Sequence, residues 1–431
     1  MLPIRQSVRR YLRENLEILA CYFSLGLLLQ LPVTVMRFFL VDRMQLGPAM
    51  LASVAALFSF PWAVKPATAF LSEKLISKCL RRSRQVALAY ALAGLCWFGL
   101  LLLPTGGGGG SGPFLLTLFY GTLASFFISF ADVCQDACMV RRIHRDSHGH
   151  GRGRLQSFVL AARAFGSLVG SLLSGLLALL GPIAFLCIAL CHFVGVASGL
   201  RLRTQTIEQS AGRVHKTTCC VACRKIVEAL VWGERLLFIA VLCVLALPLS
   251  DFALMQYYFQ KTMGVQPIAF AVSDALSYIA MIAASLIFNA RLRGRPWKAT
   301  VMLSQAVLFV VIASNLLLLT GYTHFNSTAY LLLRGTIGSF FGHLGFMPLA
   351  VKAADLVPEG LEGTFYSLYM STVNMGSVLS EELSAEATRA LRLEQQPERV
   401  PYFYLIVILG NMFALFILHL AYDEEGEERL V

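Results

Sequence analysis

The chain has 431 residues, 57% of them hydrophobic and only 14% charged, with a formal net charge of +11 and a mean hydropathy of +0.67. Soluble domains carry about 25% charged residues, so this composition excludes an ordinary soluble enzyme and indicates a polytopic membrane protein. The apolar runs are continuous rather than alternating, which excludes a transmembrane β-barrel.

A hydrocarbon core about 30 Å thick needs roughly 20 apolar residues per helix. That ruler predicts twelve spans, near residues 17–40, 49–71, 86–104, 113–136, 156–180, 182–200, 236–259, 267–289, 299–320, 328–350, 364–384 and 402–421. A basic start followed by an apolar run resembles a signal peptide. The first span is nevertheless read as retained, because its removal would invert every later loop. Basic residues gather in alternate connections: Arg5, Arg9, Arg10 and Arg13; Lys74, Lys78, Arg81, Arg82 and Arg84; Arg141, Arg142, Arg145, Arg152 and Arg154. The series continues through Arg201 to Lys225 and Arg291 to Lys298, while connections such as "PTGGGGGSGP" and "LLGPIAF" are nearly uncharged. This positive-inside pattern places both termini in the cytosol and argues against a nucleic-acid surface. The "NST" sequon at Asn326 falls on a predicted outer loop. Arg389, Arg392 and Arg399, beside Glu394 and Glu398, break the pattern in the last outer connection.

Eleven cysteines lie mostly in spans and cytosolic loops and imply no disulfide framework. "HKTTCCVAC" and "HRDSHGHGRGR" read as solvated loops rather than metal sites, so neither a metal nor a cofactor is expected. Two halves of similar size flank a basic connection, giving a first bundle at 1–200, a cytosolic linker at 201–235 and a second bundle at 236–431. "FFLVDRMQLGP" (38–48) and "YYFQKTMGVQP" (257–267) both join an aromatic helix end to a helix beginning at proline, 219 residues apart. The same offset lays "ADVCQD" over "AVKAAD", and so Asp136 over Asp355. The expected fold is an all-α membrane protein with twelve transmembrane helices in two six-helix, pseudo-symmetric bundles of major facilitator type, with the substrate near the midplane between them.

Four stretches, "FPWAVKPATAFLSEKL", "ADVCQDACMV", "LQSFVLAARAFGSLVGSLLSG" and "LVPEGLEGTFYSLYMSTVNMGS", resemble the signature segments of the folate–biopterin transporter family, in the family's order. Glu73 stands where that family usually has Asp. The resemblance covers residues from about 17 to 421. It implies a membrane transporter of folate or related pterins, with another small metabolite such as S-adenosylmethionine, or a non-transporting receptor, as alternatives. An enzyme is not expected, since the chain has no HExxH or GxSxG motif.

Charged side chains at mid-bilayer cost roughly 2.5–3.5 kcal/mol on insertion scales, so they face a cavity or a partner. The chain places Lys65, Asp132, Asp136, Arg163, Asp251, Asp274, Arg334, Glu381 and Glu382 within spans, with Arg37 and Asp355 near span ends. Asp132 and Asp136 are one helical turn apart and share a face. Two such carboxylates cannot both ionise cheaply in a poorly solvated place, so the pair reads as a proton site or as counter-charge to Lys65 and Arg163. The bland alternative for Asp136 is a solvated helix end beside Arg141 and Arg142. Arg163 lies on a Gly- and Ser-rich helix suited to close packing. Its fork suits a folate carboxylate, or Asp136 when the site is empty.

Pro61 and Pro66 should interrupt the second span around Lys65. Arg334 is expected either to bind substrate or to snorkel. Tyr257, with Tyr258 and Phe259, would stack on a pterin or form an interfacial belt. Asn374 and Ser377 face the cavity or hydrogen-bond between helices. His343 relays protons or simply packs. The resemblance gives Glu359 and Glu362 a gate or structural role. The expected partners are a small-molecule substrate, protons and the lipid bilayer, for a monomer in the cell-surface membrane, with an organelle or plastid envelope as alternative.

Overall fold

Twelve helical segments cross the computed structural model, which describes residues 14–72, 76, 79–103, 111–145, 152–202, 233–292, 295–319, 326–356 and 362–421. In the first half α1 is Leu16–Arg43, α2 is Pro48–Ala63 continued by Lys65–Phe70, and α3 is Arg82–Leu101. They are followed by α4 (Ser111–Arg145), α5 (Arg152–Ala178) and α6 (Ile183–Arg201). In the second half α7 is Gly233–Ala246 continued by Phe252–Tyr257, and α8 is Pro267–Leu292. The chain ends with α9 (Trp297–Leu319), α10 (Ser327–Asp355), α11 (Glu362–Ala390) and α12 (Val400–Ala421). Each sequence-predicted span falls on one of these segments. The predicted linker lies mostly outside the described residues, as do Glu359, His148, His150 and the cysteines at 219, 220 and 223.

Eight segments are long and apolar enough to cross a membrane on length and composition alone. The four outside that set are α2, α7, α10 and α11. Breaks shorten α2 and α7, and charges dilute α10 (Arg334, Lys352, Asp355) and α11 (Glu362, Glu381, Glu382, Glu386, Arg389).

Helix pairing repeats between the halves. In the first, α1 packs on α5, α3 on α6, and α4 on both α2 and α3. In the second, α7 packs on α11, α9 on α12, and α10 on both α8 and α9, the same scheme six helices later. The repeat is visible residue by residue. A π-helical turn ends α1 at Phe39–Arg43 and α7 at Tyr258–Thr262. A positive φ follows at Gln45 (55°) and at Gly264 (64°), and the next helices begin at Pro48 and Pro267. Each pair stands 219 residues apart. Proline suits the first helical turn because its missing N–H has no partner there anyway.

Prolines inside the segments free backbone groups, and neighbouring helices take them up. Pro32 interrupts α1, and the Thr34 N–H turns to Ser174 Oγ of α5 at 2.9 Å. Around Pro61, Ser125 and Ser129 of α4 donate to the carbonyls of Phe58 (2.6 Å) and Pro61 (3.2 Å). In α7 the chain is non-helical between Ala246 and Phe252, and Ser380 of α11 donates to the Pro248 carbonyl at 2.6 Å. The expected close packing of α5 is present. Side-chain carbons on Gly26, Gly166 or Gly170 would strike the facing backbone of the α1–α5 pair.

The halves meet where α2 lies on α11 and α5 on α8. Both described chain ends lie on one side of the molecule, the terminal side. On the opposite side several polar contacts join the halves. Arg37 Nη1 lies 2.7 Å from Asp274 Oδ2, and Lys261 Nζ 3.2 Å from Asp42 Oδ1. Ser53 Oγ donates to Glu382 Oε1 at 3.1 Å and accepts from Arg389 at 2.6 Å. On the terminal side the ion pairs among the described residues stay within a half: Arg142 with Glu17, and Lys352 with Glu234. Gly338 and Gly342 of α10 face open space.

Candidate functional site

The break in α2 organises the first cluster. Pro66 has no N–H to offer the Trp62 carbonyl four residues earlier, and Asn374 of α11 donates to that carbonyl instead at 3.1 Å. Val64 leaves helical geometry, and the helix restarts at Lys65. Lys65 then reaches across to Asp132 Oδ2 on α4. Arg163 of α5 approaches the other oxygen of Asp132, with Nη1 3.3 Å away. Asp132 is fully buried, whereas the side chains of Lys65 and Arg163 retain 17% and 31% of their exposure. Two cations thus converge on one carboxylate, and both keep donors that point elsewhere.

Trp62 forms a wall of this cluster. The Lys65 ammonium sits 4.5 Å from the Trp62 ring centroid and the Arg163 guanidinium 6.0 Å, in the range of cation–π attraction. The indole itself is fixed by a 3.2 Å bond from Nε1 to Ser125. Asp136, one turn beyond Asp132, accepts a 2.6 Å bond from the Tyr22 hydroxyl of α1.

A second cluster lies in the other half. Arg334 of α10 donates Nη2 to Asp251 Oδ1 and Nε to Asn315 Oδ1, both at 2.9 Å. Asn315 donates back to Asp251 Oδ2 at 2.5 Å, and Tyr404 reaches the same oxygen at 3.1 Å. Tyr330 closes the ring with a 2.8 Å bond to Asn315 Oδ1. Asp251 sits at the break in α7, immediately before Phe252.

The sequence-predicted residues distribute as follows. Lys65, Asp132, Arg163 and Asp136 come together, and Asn374 joins them through the Trp62 backbone. Arg163 pairs with Asp132 rather than with Asp136. Arg334 does not snorkel alone but belongs to the second cluster. Tyr257 packs against the apolar core, edge-on to Tyr258 with ring centroids 6.1 Å apart. His343 hydrogen-bonds Ser285 at 2.8 Å. Glu362 begins α11. Sequence reasoning missed Tyr22, Trp62, Asn315 and Tyr404 as partners. Only Asn315, a lone amide in "VVIASNLLLL", carried a legible signal.

Comparison with known proteins agrees with this architecture. The mutant form of the nucleoside transporter NupG superposes with a TM-score of 0.69 at 13% identity, covering 95% of this chain and all of that one. A D-xylose-proton symporter superposes with a TM-score of 0.67, also at 13% identity, over 94% of this chain and 96% of its own. At such identities the likeness is one of fold. The folate-biopterin transporter of Synechocystis sp. is 25% identical over 434 residues, 95% of this chain and 83% of that protein. The profile of the BT1 family matches residues 25–423, and with that match over most of its length the chain belongs to the BT1 family.

Proposed function

We propose that this protein moves folate or a related pterin across a membrane by alternating access, its two six-helix halves rocking about the Lys65–Asp132–Arg163 cluster. The observation that carries this reading is the convergence of two cations on Asp132 with donors left over. Folate ends in a glutamate with two carboxylates, and a carboxylate can take the place that Asp132 occupies or accept the spare Arg163 donors. Family membership and the Synechocystis relative, named for folate and biopterin, support the substrate class.

The closed side carries Arg37–Asp274 and Lys261–Asp42, and the positive-inside rule makes that side the exterior. The conformation is then inward-facing, with both termini in the cytosol. Asp132 is held by two cations, which leaves Asp136, hydrogen-bonded to the neutral Tyr22, as the carboxyl that carries a proton with the substrate. One chain supplies both halves, so a monomer suffices, and the cell-surface membrane is the default location.

A competition panel against labelled folate tests the substrate. Biopterin and methotrexate should compete and S-adenosylmethionine should not; the reverse order would overturn the pterin assignment. Acidifying the exterior should accelerate uptake. Asp136→Asn should abolish uptake and that acceleration while surface abundance stays normal, and unchanged uptake would remove Asp136 from the coupling.

A further inference from the structure

A cavity of about 370 Å³ opens in the second half beside the Asp251–Arg334 cluster, reaching from Arg37 to Gln305 and Asn411, and six helices wall it. Pockets of roughly 300–1,000 Å³ hold small molecules, so this one suits a bicyclic ring with some water better than a whole folate. Its lining includes Phe252 and Phe270, the amides Gln256, Gln305 and Asn411, and the carboxylate of Asp274. The Asp251–Arg334 ring also borders it, but there every oxygen of Asp251 is already engaged. Asp274 differs. Its ion-pair partner is Arg37 of the other half, at 2.7 Å, with the two side chains 22% and 13% exposed.

A pterin presents its 2-amino group and N3–H as two parallel donors on one carbon. That edge is a cyclic guanidine and offers a carboxylate the same fork as arginine. We infer that the cavity binds the pterin ring, with Asp274 accepting the aminopyrimidine edge in place of Arg37; this rests on the folate reading above. The amides supply donors for the ring oxygen and nitrogens, and Phe252 and Phe270 supply faces for stacking. Tyr278, one turn along α8 from Asp274, hydrogen-bonds Ser167 of α5, which lies one turn along that helix from Arg163. The α5–α8 contact thus links the cavity wall to the helix that carries Arg163, and we place the glutamate tail on that side. Because Arg37 and the ring claim the same carboxylate, ring binding also loosens a contact of the closed side.

The test uses the full-length protein in detergent or proteoliposomes, with labelled folate displaced by three probes. These are pterin, lumazine (the same bicycle with oxygen in place of the 2-amino group) and p-aminobenzoylglutamate. In the wild type, pterin should bind about tenfold or more tightly than lumazine, as expected for loss of a charge-assisted hydrogen bond. Asp274→Asn should erase that preference while p-aminobenzoylglutamate binds as before, which also reports that the variant is folded. Retention of the pterin preference in Asp274→Asn, with normal tail binding, overturns the inference and leaves the folate reading standing. If no probe and no folate binds the wild type, both fall. If Asp274→Asn loses every probe, Arg37→Gln decides. Removing the competing guanidinium should raise pterin affinity severalfold, and an unchanged pterin affinity overturns the proposal.

Discussion

The two buried charge clusters differ in how completely they are closed. Around Asp251 the carboxylate, the guanidinium and the Asn315 amide are met by groups from α7, α9, α10 and α12, with one oxygen of the neighbouring Glu381 of α11 left without a hydrogen bond. Arg334 uses Nε and Nη2, Asn315 bridges, and two tyrosines finish the ring. Around Asp132 the carboxylate is saturated but the cations are not. Arg163 makes one long contact of 3.3 Å and stays 31% exposed. A closed network in a low-dielectric place resists rearrangement, whereas spare donors invite a ligand. The difference teaches that burial of charge in a membrane helix does not by itself mark a binding site. Unspent hydrogen-bonding capacity does.

Breaking the closed cluster should have the largest effect on folding. Asp251→Ala leaves the Arg334 guanidinium buried without its counter-ion, a change that costs about 3–5 kcal/mol in comparable pairs. The protein should fall in abundance and lose its monodisperse peak in detergent, with flux per folded molecule a secondary matter. Wild-type abundance and melting temperature in Asp251→Ala would dissolve the contrast between the clusters. The open cluster should respond the other way. Arg163→Lys keeps the charge near Asp132 and loses the planar fork, so folate affinity should drop about tenfold, near the 1.5–3 kcal/mol of a charged hydrogen bond. Abundance should hold. Wild-type affinity for folate in this variant would remove carboxylate recognition from Arg163.

Much of the architecture was legible because its causes are local. Twenty-residue apolar runs, prolines at Pro48 and Pro267, and the break before Pro66 all act within a few residues and appear in the fold, whereas the helix runs on through Pro61 to Ala63. The 219-residue offset held through the turns after α1 and α7, yet it did not carry function. Asp136 meets Tyr22 inside its helix, while Asp355 ends α10 exposed. Partner choice was the illegible part. Which carboxylate Arg163 faces depends on how α4 and α5 are rotated, and no spacing within either helix encodes that. The same holds for Arg334, whose position near a span end suggested a snorkelling side chain until Asp251, 83 residues away, supplied a partner. Tyr257 and Tyr258 looked like a stacking platform for the same reason that core aromatics do: composition cannot tell a cavity wall from a packed one.

The smallest expected effect concerns the hinge between the clusters and the moving halves. Pro66 leaves the Trp62 carbonyl without its helical donor, and Asn374 fills the gap from the opposite half. In Asn374→Ala that carbonyl loses its partner, a loss worth about 1–3 kcal/mol if the site stays dry. The break adjoins Lys65 and Arg163, however, both partly exposed, so water can replace the amide. The expected cost is therefore near the lower bound, about 1 kcal/mol. Because the bond joins α2 to α11, that cost should fall on the conformation described here relative to its outward-open counterpart. Initial uptake rate should change by up to about fivefold, with little loss of melting temperature. Gln at the same position, which restores an amide on a longer arm, should recover part of the wild-type rate. If Asn374→Ala instead unfolds the protein as Asp251→Ala is expected to, the Trp62 contact belongs with the closed network, and the α2 break is part of the static frame rather than of the moving site.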